Sequence, residues 1–354
     1  MRFKNKPVIK ISLLFTFYCL LSTPLYARLG GCTAPFLSIG GGARALALGG
    51  AYSAFAEGID AIYWNPAGIA KISTPMVNFV HVNLFPGTGI SNENFAFTTP
   101  IKGGALGISA IALLSGEIGY ITERYQQGSP IGTTYSANDF AVGLSYAVRM
   151  TDKFSAGLTL KGINQNIGSQ AVGKVSANGI AFDVGGTYNT GLKGLRFGFM
   201  IQNFGPDIAY GGERLKVDTL QLDTLQDRDV TASLESDPDP LPLSFQMGIA
   251  MDVVSTPLYK VALTGDLVHL SDQEATFALG TEFSFLNDYF VRLGCTRKNN
   301  TYDKEFDWLY LRRYLAKGFT CGVGITVQKF IIDYTYQAHQ YLSGIHRVGL
   351  SLAL

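Results

Sequence analysis

Charge is scarce in this chain. Lys, Arg, Asp and Glu together make up 16% of its 354 residues, against about 25% in ordinary soluble domains. The 28 basic and 27 acidic side chains almost cancel, which excludes a strongly basic protein that binds nucleic acid. The four cysteines and four histidines show no metal-ligand or nucleophile spacing. We therefore expect no metal, no cofactor, no nucleic-acid partner and no enzymatic activity.

Long hydrophobic runs are also missing. The apolar stretch from Ile11 to Leu21 is shorter than the roughly 20 residues that a membrane-spanning helix needs, and no later stretch of that length lacks polar residues. It follows several basic residues and precedes small residues that end at Ala27. This order is typical of a secretory signal peptide, which we predict over residues 1–27.

Strict alternation of large apolar and small residues is the main pattern beyond Thr74. From Leu243 to Val253 every odd residue is large and apolar and every even one is small or polar, and residues 140–149, 259–267 and 347–354 follow the same rule. A soluble sandwich also alternates, but its outer face carries many charges. Here the second face consists of Gly, Ala and Ser, interrupted by occasional charges: Lys161, Asp183, Asp252, Asp266 and Glu282. This pattern favours lipid on one face and a crowded or hydrated lumen on the other.

The breaks between these segments alternate in length. Short breaks fall near residues 101–103, 150–153, 190–193, 255–257, 287–288 and 328–329, and longer ones at 115–135, 166–176, 205–241 and 298–317. The intervening segments number about fourteen, each of about nine to eleven residues, the length of a strand that crosses a bilayer. We predict an all-β protein over residues 76–354: a transmembrane antiparallel β-barrel of about 14 strands, surrounded by the lipid of a bacterial outer membrane.

A glycine- and alanine-rich segment precedes the strands, over residues 28–75. Its glycines lack the flanking strand and crossover helix of a nucleotide-binding loop. Its small residues permit dense packing, so we predict a hatch inside the barrel lumen. Arg44, Glu57 and Asp60 are expected to pair with one another or with lumen charges, because an unpaired charge in a confined site is costly.

The end of this segment predicts a tight turn. Pro66 fixes its own backbone and keeps Asn65 out of the helical region, and Ala67 and Gly68 allow the backbone to approach the barrel wall closely. Two roles stay open for this turn: a packed structural element, or a direct part in gating a ligand.

Two stretches of this segment carry a family resemblance. GARALALGGAY from Gly42 to Tyr52, and EGIDAIYWNPAG from Glu57 to Gly68, resemble the amino-terminal signature of FadL-like outer-membrane proteins, especially the PorV/PorQ-like branch. QNFGP at Gln202 and DPLPL at Asp239 resemble a second landmark of that branch.

The resemblance implies a fourteen-stranded barrel with a hatch in its lumen. The FadL branch implies passive uptake of hydrophobic small molecules such as long-chain fatty acids, with lateral or hatch-gated movement of the ligand. The PorV branch implies the alternative, a component of type IX protein secretion or surface assembly that works with secretion-system proteins. The fold alone does not choose between them.

Overall fold

The structure is a computed structural model, and it describes residues 31–121, 132–169, 172–212, 215–217, 232–234, 236–298, 318–339 and 344–354. The predicted signal peptide lies outside these residues. So do the predicted connection 298–317, apart from residue 298, and the central part of the acidic connection 205–241.

Fourteen long antiparallel strands across the described residues form one closed barrel. Each strand pairs with the next along the chain, and the first pairs with the last, with Val80 opposite Gly349. The predicted fold class is therefore confirmed. The strands are β1 Met76–Asn83, β2 Ser91–Ile101, β3 Gly104–Leu114, β4 Thr134–Arg149, β5 Phe154–Ser169, β6 Gly173–Asn189, β7 Arg196–Phe204, β8 Ser244–Ser255, β9 Tyr259–Leu270, β10 Thr276–Phe285, β11 Tyr289–Lys298, β12 Phe319–Val327, β13 Phe330–Gln337 and β14 Ile345–Ala353.

Some of these strands are longer than predicted. The expected long connection over residues 166–176 is wrong, because β5 and β6 stay paired as far as Ser169 and Gly173. Asn166 and Ser176, the two ends of the predicted connection, lie opposite each other in this ladder. Strands of 16 and 17 residues exceed what a bilayer crossing requires. The polar stretch therefore extends the sheet beyond the membrane.

The two faces of the wall carry the predicted residues. Phe245, Met247 and Ile249 point outward and are 38–52% exposed, whereas the intervening Gln246 is 4% exposed and faces the lumen. Asp266 and Glu282 are likewise buried. The short turns and both barrel termini lie at one end, which in outer-membrane barrels faces the periplasm. None of the helices in the described ranges is both long and apolar enough to cross a membrane.

Residues 31–75 lie inside the barrel, and we refer to residues 28–75 as the hatch segment. It contains two short α-helices, Ala43–Ala47 and Ala61–Trp64, and two 3-10 helices, Pro35–Ser38 and Pro66–Lys71. The first α-helix stops before Gly49 and Gly50, whose backbones take positive φ values of 69° and 80°. Most of residues 41–70 are buried, and their apolar side chains form the main core cluster with alanines of the wall.

Candidate functional site

The contact surface between the hatch segment and the wall is the candidate functional site, and Arg44 is one of the charges that cross it. Its Nε donates to Oε2 of Glu282 on β10 at 2.8 Å, and its Nη2 donates to Oε1 at 2.7 Å. Glu282 also accepts a hydrogen bond from Nε of Arg292 at 2.7 Å, and Arg292 in turn donates to Asp333. Two arginines and two carboxylates thus neutralise one another in the interior.

Asp60 lies close to this network but does not pair with the Arg44 side chain. Its Oδ2 accepts a hydrogen bond from the backbone N–H of Arg44 at 3.3 Å. Burial raises the pKa of the Asp60 carboxyl to about 6, and the nearby negative charge of Asp333 acts in the same direction. A Cβ atom on Gly42 would lie 2.6 Å from the Asp60 carboxyl group, so only glycine fits there.

Glu57 pairs with a different arginine, nearer the short-turn end of the barrel. Nη1 of Arg196 on β7 donates to Glu57, and Nη2 donates to Asp252 on β8 at 2.8 Å. The ring of Phe55 lies between the two arginine clusters, with its centroid 5.1 Å from Cζ of Arg44 and 4.9 Å from Cζ of Arg196. Cation–π contacts therefore link both clusters to the hatch segment.

Asn65 joins the hatch segment to two strands of the wall. Its fully buried Nδ2 donates to the carbonyl oxygens of Ser53 at 2.8 Å, Gly186 on β6 at 3.1 Å and Phe199 on β7 at 3.3 Å. Its Oδ1 accepts a hydrogen bond from Ala67 N–H at 3.2 Å, so the side chain also caps the 3-10 helix that follows.

Pro66 and Gly68 shape that helix in different ways. Pro66 occupies its first turn, where the missing N–H is not needed. A Cβ atom on Gly68 would lie less than 3.0 Å from the Ala56 carbonyl oxygen. Of the two residues predicted to approach the wall, Gly68 instead approaches the hatch segment itself. The approach to the wall is made by Pro66 and Ala67, which lie against Gly157.

Several wall residues that hold the hatch backbone are not evident from the sequence. Asp266 accepts hydrogen bonds from the N–H groups of Tyr52 at 3.0 Å and Ser53 at 2.7 Å. Threonine hydroxyls cap three hatch carbonyls: Thr264 to Ala51 at 3.0 Å, Thr320 to Ala47 at 3.0 Å and Thr335 to Ala43 at 2.7 Å. The alternation predicts that these wall side chains face the lumen. Which hatch groups they contact depends on the path of the hatch segment.

Glycines of the wall explain why the second face of the strands consists of small residues. Cβ atoms on Gly198 and Gly294 would lie less than 3.0 Å from the hatch backbone at Ser53 and Gly49. Larger residues at these positions would push the hatch segment away from the wall. The lumen is therefore crowded at this level and not filled mainly with water.

A cavity of about 290 Å³ remains between the hatch segment and the long-loop end of the barrel. The hatch contributes apolar walls, from Leu37, Ile39, Leu46, Tyr63 and Trp64. The barrel contributes amides and hydroxyls, from Gln202, Asn203, Ser244, Gln246, Thr276 and Gln337. The cavity is amphipathic, and it suits a compact molecule with an apolar body and few polar groups.

The wall beside this cavity has an irregular ladder. Pairing between β6 and β7 shifts register between Phe182 and Val184. Asn203, with φ of 59°, lies opposite this shift, and its N–H donates to Oδ1 of Asp183 at 2.8 Å. Lys161 pairs with Asp183 at 2.6 Å and also donates to Oδ1 of Asn203 at 2.9 Å. The QNFGP stretch therefore forms a β-bulge that interrupts the ladder, and the side chains of Lys161, Asp183 and Asn203 connect the strands there.

A scan against protein-family models matches residues 27–222 to a family described as type IX secretion system protein PorV. The match spans more than half of the chain. A search of curated proteins finds no match.

Solved structures with the same fold include three channels. The CymD monoaromatic hydrocarbon channel has a TM-score of 0.57 and 13% identity over 89% of this chain and 98% of that one. The Ralstonia pickettii toluene transporter TbuX has a TM-score of 0.57 and 14% identity over the same shares. The Pseudomonas putida toluene transporter TodX has a TM-score of 0.56 and 11% identity over 88% and 96%. At such identities the likeness establishes the fold of FadL-like barrels, as predicted.

Proposed function

The chain belongs to the PorV family, and from that premise we propose that this outer-membrane barrel binds a small, mainly apolar molecule above its hatch and lets it cross the membrane. The proposal rests on the amphipathic cavity of about 290 Å³. Pockets that bind small molecules usually have mainly apolar walls and a few polar groups.

The size of the cavity favours a compact ligand over a long-chain fatty acid. Its volume of about 290 Å³ is just below the roughly 300–1,000 Å³ of sites for drug-sized ligands. An apolar cavity of about 150 Å³ is enough for benzene. The similar structures are a monoaromatic hydrocarbon channel and toluene transporters, whose ligands are of this compact class.

The same model assigns roles to the hatch residues. Arg44, Glu57, Asp60, Asn65, Pro66 and Gly68 keep the hatch segment closed against the wall in the resting barrel. A ligand then leaves the cavity either by displacement of the hatch or sideways at the bulge around Asn203, where the β6–β7 ladder is interrupted.

A cavity-filling substitution tests the proposal. Ala278 lines the cavity, whereas its neighbour Leu279 points to lipid and is 60% exposed. We expect the purified protein to bind toluene in calorimetry, Ala278→Phe to abolish binding, and the matched control Leu279→Phe to retain it. Palmitate should bind at least tenfold more weakly than toluene. Equal toluene binding by all three proteins would overturn the proposal.

A second candidate function is favoured by the family match itself. The matching family is described as a type IX secretion system protein, and a barrel closed by a tightly held hatch also suits a scaffold for secretion-system proteins. A gene-deletion strain complemented with Ala278→Phe separates the two functions. If this variant restores secretion but not toluene uptake, then uptake depends on the cavity and secretion depends on the barrel as a scaffold. Normal secretion in the deletion strain itself would contradict the secretion role.

A further inference from the structure

Arg347 is a buried guanidinium without a counter-ion. It lies on β14 near the long-loop end, faces the lumen and is 2% exposed. Neither its Nε nor its Nη1 has a hydrogen-bond partner, and no carboxylate among the described residues lies within ion-pair distance. The other two largely buried arginines of the wall, Arg196 and Arg292, each contact two carboxylates.

A second unpaired donor lies on the same row of the wall. Val82 on β1 is opposite both Arg347 on β14 and Asn92 on β2. With neighbouring strands about 4.8 Å apart, the Arg347 and Asn92 backbones are about 10 Å apart, within reach of an arginine side chain. Asn92 is fully buried, its Oδ1 accepts a hydrogen bond from Asn94 at 2.7 Å, and its Nδ2 has no partner.

The groups around this row are apolar or neutral, and the polar ones include Thr335, opposite Arg347 on β13, and Oδ1 of Asn94, which has no hydrogen-bond partner. The next row toward the long-loop end holds Leu84 and Ile345, which belong to an apolar cluster with Val80, Val82 and Ala43. Ile39 of the hatch segment packs against the same cluster. An unpaired charge in such a place is energetically costly. A sequence that keeps an arginine there requires a compensating anion in some state of the protein.

We propose that Arg347 and Asn92 form an anion-binding site whose ligand is a small carboxylate. Nε, which has no partner, and Nη2 beside it form the edge of a guanidinium that holds both oxygens of a carboxylate, and Asn92 Nδ2 supplies a third donor to one oxygen. Leu84 and Ile345 lie one row nearer the long-loop end, and Ile39 of the hatch segment packs against their cluster, so we expect the anion to enter from that side. The site takes a different ligand from the proposed cavity, although Ile39 borders both.

The full-length barrel in detergent provides the test, with benzoate and its neutral analogue benzamide as probes. We expect benzoate to raise the thermal unfolding temperature and to bind in calorimetry, and benzamide to do neither. Arg347→Met should weaken benzoate binding at least tenfold while leaving the ligand-free barrel as stable as wild type or more stable. Asn92→Asp should also abolish binding, because it places a carboxylate against the anion. The control Arg149→Met removes an exposed arginine at the short-turn end and should behave as wild type.

Three results would overturn the proposal. They are equal effects of benzoate and benzamide, benzoate binding that survives Arg347→Met, and absence of any benzoate effect together with a large loss of stability in Arg347→Met. The last would mean that Arg347 is satisfied by internal water. Sodium phosphate at the same ionic strength distinguishes the anion source: stabilisation that Arg347→Met removes would support the site and extend its ligands to inorganic oxyanions.

Discussion

Arg44 and Glu282 face each other across the boundary between the hatch segment and the wall, joined by two hydrogen bonds of 2.7 and 2.8 Å. This pair is the one charged contact among the described residues that joins the helix Ala43–Ala47 to the wall. Glu282 also pairs with Arg292. Loss of Glu282 therefore affects two arginines, whereas loss of Arg44 affects one carboxylate.

We expect Glu282→Gln to loosen the hatch segment more than Arg44→Met does. The glutamine leaves Arg44 and Arg292 with too little negative charge, and uncompensated charge in an interior costs about 3–5 kcal/mol. The methionine leaves Glu282 paired with Arg292. Hydrogen exchange of the hatch amides measures the loosening. Glu93→Gln, which affects a carboxylate paired with His81 on the outer wall, is the control, and greater loosening in Arg44→Met would contradict the argument.

Substitutions of Asn65 should separate capping from wall contact. Asn65→Asp keeps the oxygen that caps Ala67 but places a carboxylate against three carbonyl oxygens. We therefore expect it to destabilise hatch docking more than Asn65→Ala, which loses about 1 kcal/mol of capping together with the wall contacts. Pro66→Ala should be milder than either. The measurement is protease cleavage of the hatch in the assembled barrel, and an aspartate variant as resistant as wild type would refute the contact.

Wall glycines offer a matched pair. A Cβ atom on Gly198 would collide with the hatch backbone at Ser53, whereas one on Gly162 would meet nothing within 4 Å. Gly198→Ala should therefore lower the melting temperature and expose the hatch to protease. Gly162→Ala should leave both unchanged, although both glycines lie in strands. Equal behaviour of the two variants would mean that the hatch does not press against the wall.

The barrel was predictable from the sequence, and much of the hatch packing was not. The alternation of large apolar and small residues, as from Leu243 to Val253, indicates which side chains contact lipid. The number of strands and the side to which each residue points therefore follow from local sequence. The wall partners of Arg44 and Asn65 lie more than 100 residues away. No spacing rule connects them, because the path of an irregular segment inside a barrel depends on packing. Arg347 and Asn92 show the same limit, since the alternation reveals their phase but not that they lack partners.

Asp60 predicts a pH dependence of hatch docking. Its pKa is about 6 in the docked hatch and should return to about 4 when the hatch is released. The docked form therefore holds the proton more tightly, and the stabilisation from Asp60 is complete below pH about 4 and is lost as pH rises through about 6. We expect hatch amides to exchange faster at pH 8 than at pH 5, after correction for intrinsic rates. Asp60→Asn should remove this difference, and an unchanged pH profile would exclude Asp60 as its source.

Deletion of residues 36–70 tests the hatch as a plug. A barrel of fourteen strands is wider than the eight-stranded barrels whose lumen side chains alone can fill, and this segment occupies the space that remains. The strand ladders, including closure between β1 and β14, contain none of the deleted residues. We therefore expect the shortened protein to assemble and to show heat-modifiable migration like the full-length barrel. Its lumen would hold water around Glu282, Arg292 and Asp266, so its conductance in planar bilayers should rise.

Replacement of both Asn65 and Pro66 by alanine provides the graded comparison, because it loosens the turn without removing the plug and should raise conductance less. A shortened barrel that inserts normally but conducts no more than the full-length protein would show that the segment does not seal the lumen. The segment would then have to act as a docking element for other proteins, and the secretion role would gain support over uptake.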